Sequence, residues 1–260
     1  MKKSICLITF LLIGLLCVQP ISAADDLLVA EQWAPVIRKM DNKDSLTAQT
    51  NMFTAVDYDH DWRLNNNWYN LMFYPPKPAV YYSVVESDTH YFLGYYQYYP
   101  RHMGRSQHEH DLTGVLLAVG KTPDGAGRLE MLLTYSNHNW QKQNGAKVRL
   151  EGGRPVLKIS AGTHEIAVVG KRKRFLPGEA HIGYSLIPLT QLWEQRREIG
   201  QGRVFAGWGY FDSYNAVKVT APWLWDYHHI NWLTNPGELF QYLSGTPIRE
   251  CNYLINPYIK

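Results

Sequence analysis

The stretch KPAVYYSVVESDTHYFLGYYQYY, Lys77 to Tyr99, decides the fold class. Two runs rich in valine, tyrosine and phenylalanine are separated only by Ser87, Asp88 and Thr89. Strand formers on either side of a short polar break read as a β-hairpin. The pattern recurs downstream in TGVLLAV (113–119) and LEMLLTY (129–135), joined by GKTPDGAG, whose Pro-Asp-Gly favours a turn. Further strands are expected at RPVLKIS (154–160), HEIAVVG (164–170), RVFAGWGYF (203–211) and AVKVT (216–220). Strand follows strand without the regular helical alternation of a parallel sheet. The chain therefore reads as mainly β, a single antiparallel β-sandwich with a few peripheral helices. DDLLVAEQWAPVIRKM (25–40) reads as an N-terminal helix that Pro35 kinks or splits in two. TQLWEQRREIG (190–200), with Gly200 as its stop, and GELFQYL (237–243) read as short helices. No Pro/Ser-rich linker divides the chain, so 25–260 is expected to be one domain.

The first 24 residues read as a cleaved signal peptide. Lys2 and Lys3 precede an apolar run from Ile5 to Val18, interrupted only by Thr9, and Ser22, Ala23 and Ala24 supply a small-residue cleavage site. The run falls short of the roughly 20 apolar residues that span a bilayer. A secreted or periplasmic protein without a transmembrane anchor is expected. Removing the signal takes Cys6 and Cys17 with it and leaves Cys251 alone, so an internal disulfide is excluded. It also takes two of the 26 basic residues, which lowers the net charge from +3 to about +1 against 23 acidic residues. The electrostatic case for a nucleic-acid partner then largely disappears.

Chemistry concentrates in SQHEHDLTGVLLAV, Ser106 to Val119. In an extended strand, Glu109, Asp111 and Thr113 share one face while His110 and Leu112 share the other. His108, at the loop end, can bend toward the carboxylates. An imidazole beside two carboxylates suits a divalent cation, and a solvated strand entrance is the plain alternative.

The segment YYQYYPRHMGRSQHEHDLTGVLL resembles the central segment of the necrosis- and ethylene-inducing toxin superfamily. It is closer still to that superfamily's exported bacterial relatives of unassigned function. In the toxins an aromatic strand ending in Pro-Lys-Asp leads to Gly-His-Arg-His-Asp-Trp-Glu. The resemblance implies a β-sandwich holding a divalent metal, with His108 and Asp111 matching two ligands. The other two ligand positions fall on His102 and Thr113, where an imidazole and a hydroxyl replace carboxylates. The expected cofactor is a divalent metal, calcium or magnesium, bound less well than in the toxins; a softer ion such as zinc is the alternative, and Glu109 could restore a charge. The resemblance also implies binding of a glycan or lipid headgroup on a target membrane, with membrane damage as a possible outcome. Two rivals stand beside this reading. One is a metal-dependent hydrolase with Glu109 or His110 as general base. The other is a non-catalytic binding relative whose metal site has decayed.

Other candidates are more dispersed. Asp57, Asp59 and Asp61 in DYDHDWRLNNNW alternate like the start of a calcium loop. Trp62 stands where such a loop needs glycine and Trp68 where it needs its bidentate acid, which leaves an irregular cation loop or a polar turn. His138 and His164 count only if folding brings them near His108. Asp226, in PWLWDYHHINW, matches a Pro-Trp-Gly-Trp-Asp-Asp segment of the bacterial relatives, with Tyr227 at its second aspartate. There is no phosphate-binding glycine loop, no His-Glu-x-x-His, no Gly-x-Ser-x-Gly and no Cys-x-x-Cys.

Overall fold

The protein is described from a computed structural model covering residues 23–40, 50–62, 64–104, 107–136, 139–173, 179–195, 210–212, 218–245 and 252–259. The signal segment before residue 23, His138, Gly200 and Cys251 lie outside the described residues. A helix α1 (Ala23–Trp33) leads into β1 (Val36–Met40), so Pro35 ends the helix and a strand follows it. Proline lacks the N–H that the helix needs and disfavours helical backbone in the residue before it.

The main sheet contains β2 (Ala79–Ser87), β3 (His90–His102), β4 (His108–Gly120), β5 (Arg128–Ser136) and β6 (Asn139–Asn144). These five form an antiparallel meander. A second sheet is built from β1, β7 (Leu150–Glu151), β8 (Arg154–Ile159), β9 (Ile166–Val168) and β10 (Glu179–Ile182). Strand β11 (Ser185–Pro188) extends the main sheet beyond β2. The antiparallel expectation needs one correction. Strands β1 and β8 pair in parallel, as do β11 and β2, because the partners lie far apart in sequence and long connections permit it.

Strand β2 is buried at all nine positions, and β3 at ten of thirteen. Both faces of the main sheet are therefore covered. On one face Leu93, Tyr95, Val115 and Leu117 pack against Ile37, Leu157 and Ile159 of the second sheet. On the other, Phe92, Tyr96, Leu112 and Leu116 meet Trp223, Trp225, Trp232 and Phe240. The second group comes from the helix Pro236–Ser244 and the loops before it. Trp225 stacks on Tyr135 at 4.2 Å and meets Tyr96 edge-on at 5.5 Å. Continuous aromatic runs therefore mark strands buried on both sides. No helix of the described residues is long and apolar enough to cross a membrane.

Gly94 shows how tightly β3 is packed. A Cβ there would lie 1.9 Å from the Tyr96 hydroxyl oxygen and 2.6 Å from Ser83 Oγ. Gly94→Ala should lower the unfolding free energy by about 1–3 kcal/mol, the usual cost of overpacking a core. Adding Tyr96→Phe should recover part of that loss. Urea unfolding of the two variants checks both expectations.

Candidate functional site

The site is built where β3 and β4 end together. Their pairing runs in one register through Tyr99 opposite Asp111, Arg101 opposite Glu109, and His102 opposite His108. Regular alternation would put Glu109 with Asp111. The structure separates them at His110, whose φ of +54° is left-handed. Such a residue breaks the two-residue repeat of side-chain direction. Before the break, Glu109 acts electrostatically on Tyr98 and Arg101, and the Arg101 guanidinium lies 4.2 Å from the Trp68 ring. On the Asp111 side, His102, His108 and His164 all act on that carboxylate. The expected face-sharing of Glu109 and Asp111 is therefore replaced by one of His108 and Asp111.

Three imidazoles converge on this face. His102 and His108 stack at 4.5 Å, and His164 meets His102 edge-on at 5.8 Å. His164 arrives from the turn between β8 and β9, again with left-handed backbone, φ +54°. Its ring lies flat on Tyr99, with centroids 3.6 Å apart and planes 1° from parallel. His164 Nδ1 donates to Asp111 Oδ2 at 2.6 Å. Burial works against the Asp111 carboxylate, but the His164 hydrogen bond and the three imidazoles hold its pKa below the usual value. In the neutral imidazole this hydrogen bond puts the proton on Nδ1 and the lone pair on Nε2. That nitrogen is fully buried and accepts no hydrogen bond. Burial, with His108 and His164 nearby, outweighs Asp111 and lowers the pKa of His102, so its imidazole is neutral at pH 7. Thr113 lies beneath this face, its hydroxyl donating to Gln97 Oε1 at a long 3.4 Å.

Such an arrangement can present lone pairs to a metal ion. A carboxylate holding the far N–H of an imidazole is the usual support for a metal-binding histidine. No closed group of three or more His, Cys, Asp or Glu side chains in metal-holding geometry occurs among the described residues.

His110 has a different role. Its fully buried ring points to the opposite face, where Tyr98 Oη donates to Nδ1 at 2.7 Å. Asn67 Nδ2 donates to the same hydroxyl at 2.8 Å, and also to the Val56 carbonyl at 2.7 Å. The aspartate loop closes this network from outside. Asn70 donates to Asp59 Oδ2 at 2.6 Å and Asn66 to Asp61 Oδ2 at 2.9 Å. The carboxylates of Asp59 and Asp61 thus staple a turn, which favours the polar-loop reading. Burial raises the pKa of Asp57. Asp226 accepts from Asn231 at 2.8 Å and braces a hairpin tipped by His228 and His229. Asn67 and the stacking role of Tyr99 went unnoticed in the sequence, because neither residue sits in a recognisable motif.

Burial pushes the pKa of His110 down to about 3. Below about pH 6.5 the unfolded chain takes up a proton that the folded chain refuses. Stability should therefore fall as pH drops from about 6.5 toward 3, with a limiting slope near 1.4 kcal/mol per pH unit. Between pH 7 and 5, His110→Gln should show a shallower decline than the parent in urea unfolding. An unchanged slope would rule out this histidine as the source.

No family model matches the sequence, and no curated protein matches it. Solved structures of necrosis- and ethylene-inducing proteins (NLPs) are similar to the chain. A triple variant of NLPPya is 16% identical, with a TM-score of 0.46 over 79% of this chain and 87% of that one. NLPPya in complex with glucosamine is 16% identical, with a TM-score of 0.43 over 73% and 83%. Necrosis and Ethylene inducing Protein 2 from the causal agent of cocoa's Witches Broom disease is 14% identical, with a TM-score of 0.36 over 65% and 76%. At these identities and TM-scores the likeness assigns neither a family nor a function to the chain.

Proposed function

We propose that the chain is an exported binding protein that takes a polar ligand, a glycan or lipid headgroup, at the joint ends of β3 and β4. A divalent ion assists the binding; His102 and His108 would have to shift from their described positions to close around it with His164, which Asp111 orients. The observation that carries this reading is the buried Nε2 of His164, a lone pair without a hydrogen bond whose opposite N–H is held by a carboxylate. Leaving such a group unmatched is costly, and a metal ion is the partner that suits an imidazole whose far N–H is held by a carboxylate. Three imidazoles and a single carboxylate favour zinc over calcium or magnesium, which prefer oxygen ligands. The bound ion would supply a Lewis-acid contact to a hydroxyl or phosphate oxygen of the ligand. His110 does not support the hydrolase alternative, since a buried imidazole with a pKa near 3 is a poor general base at neutral pH.

The lipid-headgroup form of this reading has its own support. Beside Arg101 the chain exposes Tyr69 (57%), Met72 (75%), Phe73 (75%) and Tyr74 (41%) in one short loop. Arg101 Nη2 donates to the Trp68 carbonyl at 2.6 Å, and Asn70 ties the same loop to Asp59. The apolar tip is thus displayed on a stapled support. No acidic residue occurs from Trp62 to Val85, while Lys77 and Arg63 are basic. Aromatic and methionine side chains with basic neighbours suit a phosphate-bearing membrane interface.

Zinc should stabilise the protein, adding about 2.7 kcal/mol at a hundredfold excess over Kd. His108→Ala and His164→Ala should each remove most of that gain, whereas Asp59→Asn should lower the baseline and leave the gain intact. Melting curves with zinc, calcium, magnesium, manganese and chelator test this. If no ion moves the curve, the metal-assisted reading fails. For the membrane surface, flotation with phosphatidylcholine vesicles containing phosphatidylserine should recover the parent chain. Met72→Ser combined with Phe73→Ser should abolish recovery, and equal flotation of both would remove the loop from the account.

A further inference from the structure

A second polar cluster lies at the opposite end of the β3–β4 ladder, where His90 pairs with Gly120. Thr89 Oγ1 stands 2.8 Å from His90 Nδ1, and His90 Nε2 stands 3.2 Å from Glu130 Oε2. Arg128 Nη2 donates to the other Glu130 oxygen at 2.8 Å. With the imidazole proton on Nε2, the Thr89 hydroxyl donates to Nδ1, and a single chain of hydrogen bonds runs from Thr89 to Arg128. The His90 ring is held from behind by stacking on Phe92 at 5.8 Å, and Phe92 lies 5.7 Å from Phe240.

All four residues line one cavity of about 790 Å³. Its remaining wall includes the apolar Leu129 and Leu150 and the polar Asn144. Glycines permit close packing beside this space. A Cβ at Gly120 would lie 2.7 Å from Glu130 Oε1, so a side chain there would displace the carboxylate from His90. At Gly145 it would lie 2.1 Å from the Leu129 carbonyl oxygen.

The hydrogen-bond inventory selects a ligand class. Arg128 and Glu130 neutralise each other, so an ion of either sign would have to compete with an existing pair. Hydrogen-bonding capacity nevertheless remains in both directions. A carboxylate offers about four acceptor positions and a guanidinium five donors, and the chain uses only part of each. The Thr89 hydroxyl can still accept. Asn144 Oδ1 accepts from the Ala146 N–H at 2.9 Å, which leaves its amide hydrogens as donors. Alternating donors and acceptors above an aliphatic floor match a ring with vicinal hydroxyls on its edge and C–H bonds on its face. We propose that this cavity is a binding site for a neutral saccharide unit, separate from the His102–His108–His164 cluster. It does not depend on metal binding at that cluster.

The test is calorimetric titration of the full chain with cellobiose, mannobiose, chitobiose and glucuronate. At least one neutral disaccharide should bind. Glu130→Gln, which keeps shape but not charge, should weaken it about tenfold. Ala146→Trp, placed on the cavity rim away from the relay, should block it and remains informative if the first variant does not fold. His108→Ala disables the other end of the sheet and reports any sugar bound there. The proposal is overturned if no neutral sugar binds. It is equally overturned if binding survives Ala146→Trp but is lost in His108→Ala, which would move the sugar to the other end of the sheet. Binding of glucuronate alone, lost in Lys171→Ala at the rim, would replace it with an anion site.

Discussion

The left-handed backbone at His110 is the constraint on which the site depends. It sits inside a strand whose register with its neighbour is otherwise continuous. Without it, the alternation of β4 would send His108 and Asp111 to opposite faces. With it, His108 and His102 join Asp111 and His164, while Arg101 and Glu109 pass to the side of Tyr98. A non-glycine residue in this region carries strain, and such strain persists where surrounding contacts hold it. Here the holding contacts are the hydrogen bond from Tyr98 and the burial of the imidazole. His164 repeats the device in the turn above. Two left-handed histidines, one aimed to each face, organise this end of the sheet.

The aromatic core explains why that strain can be borne. Tyr95, Tyr96, Tyr98 and Tyr99 are all fully buried, yet two of their hydroxyls have distinct polar duties. Tyr95 donates to the Ala30 carbonyl at 2.7 Å and ties α1 to the sheet. Tyr98 links Asn67 to His110 and so joins the aspartate loop to the strand end. A tyrosine buries large apolar area and still reaches a partner with its tip. Exchanging these residues for phenylalanine would keep the packing and cut the connections.

The two polar clusters share one ladder and differ in character. At the His102 end, three imidazoles converge around a single carboxylate, and His164 Nε2 is buried without a hydrogen bond. At the His90 end, Arg128 and Glu130 are paired with each other and the cavity is open. The first is where the cation is proposed and the second where the saccharide is proposed. Strands β3 and β4 pair continuously between the two.

The fold class was legible in the residues themselves. The valine- and tyrosine-rich runs on either side of Ser87–Thr89 and the Pro-Asp-Gly turn imposed a meander, because strand propensity and turn chemistry are local properties. The concentration of potential ligands between His102 and Asp111 was equally visible. What only the tertiary structure decided were pairings across long separations. Strand β1 lies parallel to β8, more than 100 residues away in the chain. His164 reaches Asp111 across 53 residues. Glu109 departs from its expected neighbour because one φ angle inverts the pleat, and no pattern of residue types encodes that sign. His90 and Glu130 escaped notice for the same reason, since each is ordinary in its own strand and becomes a relay only when the strands align.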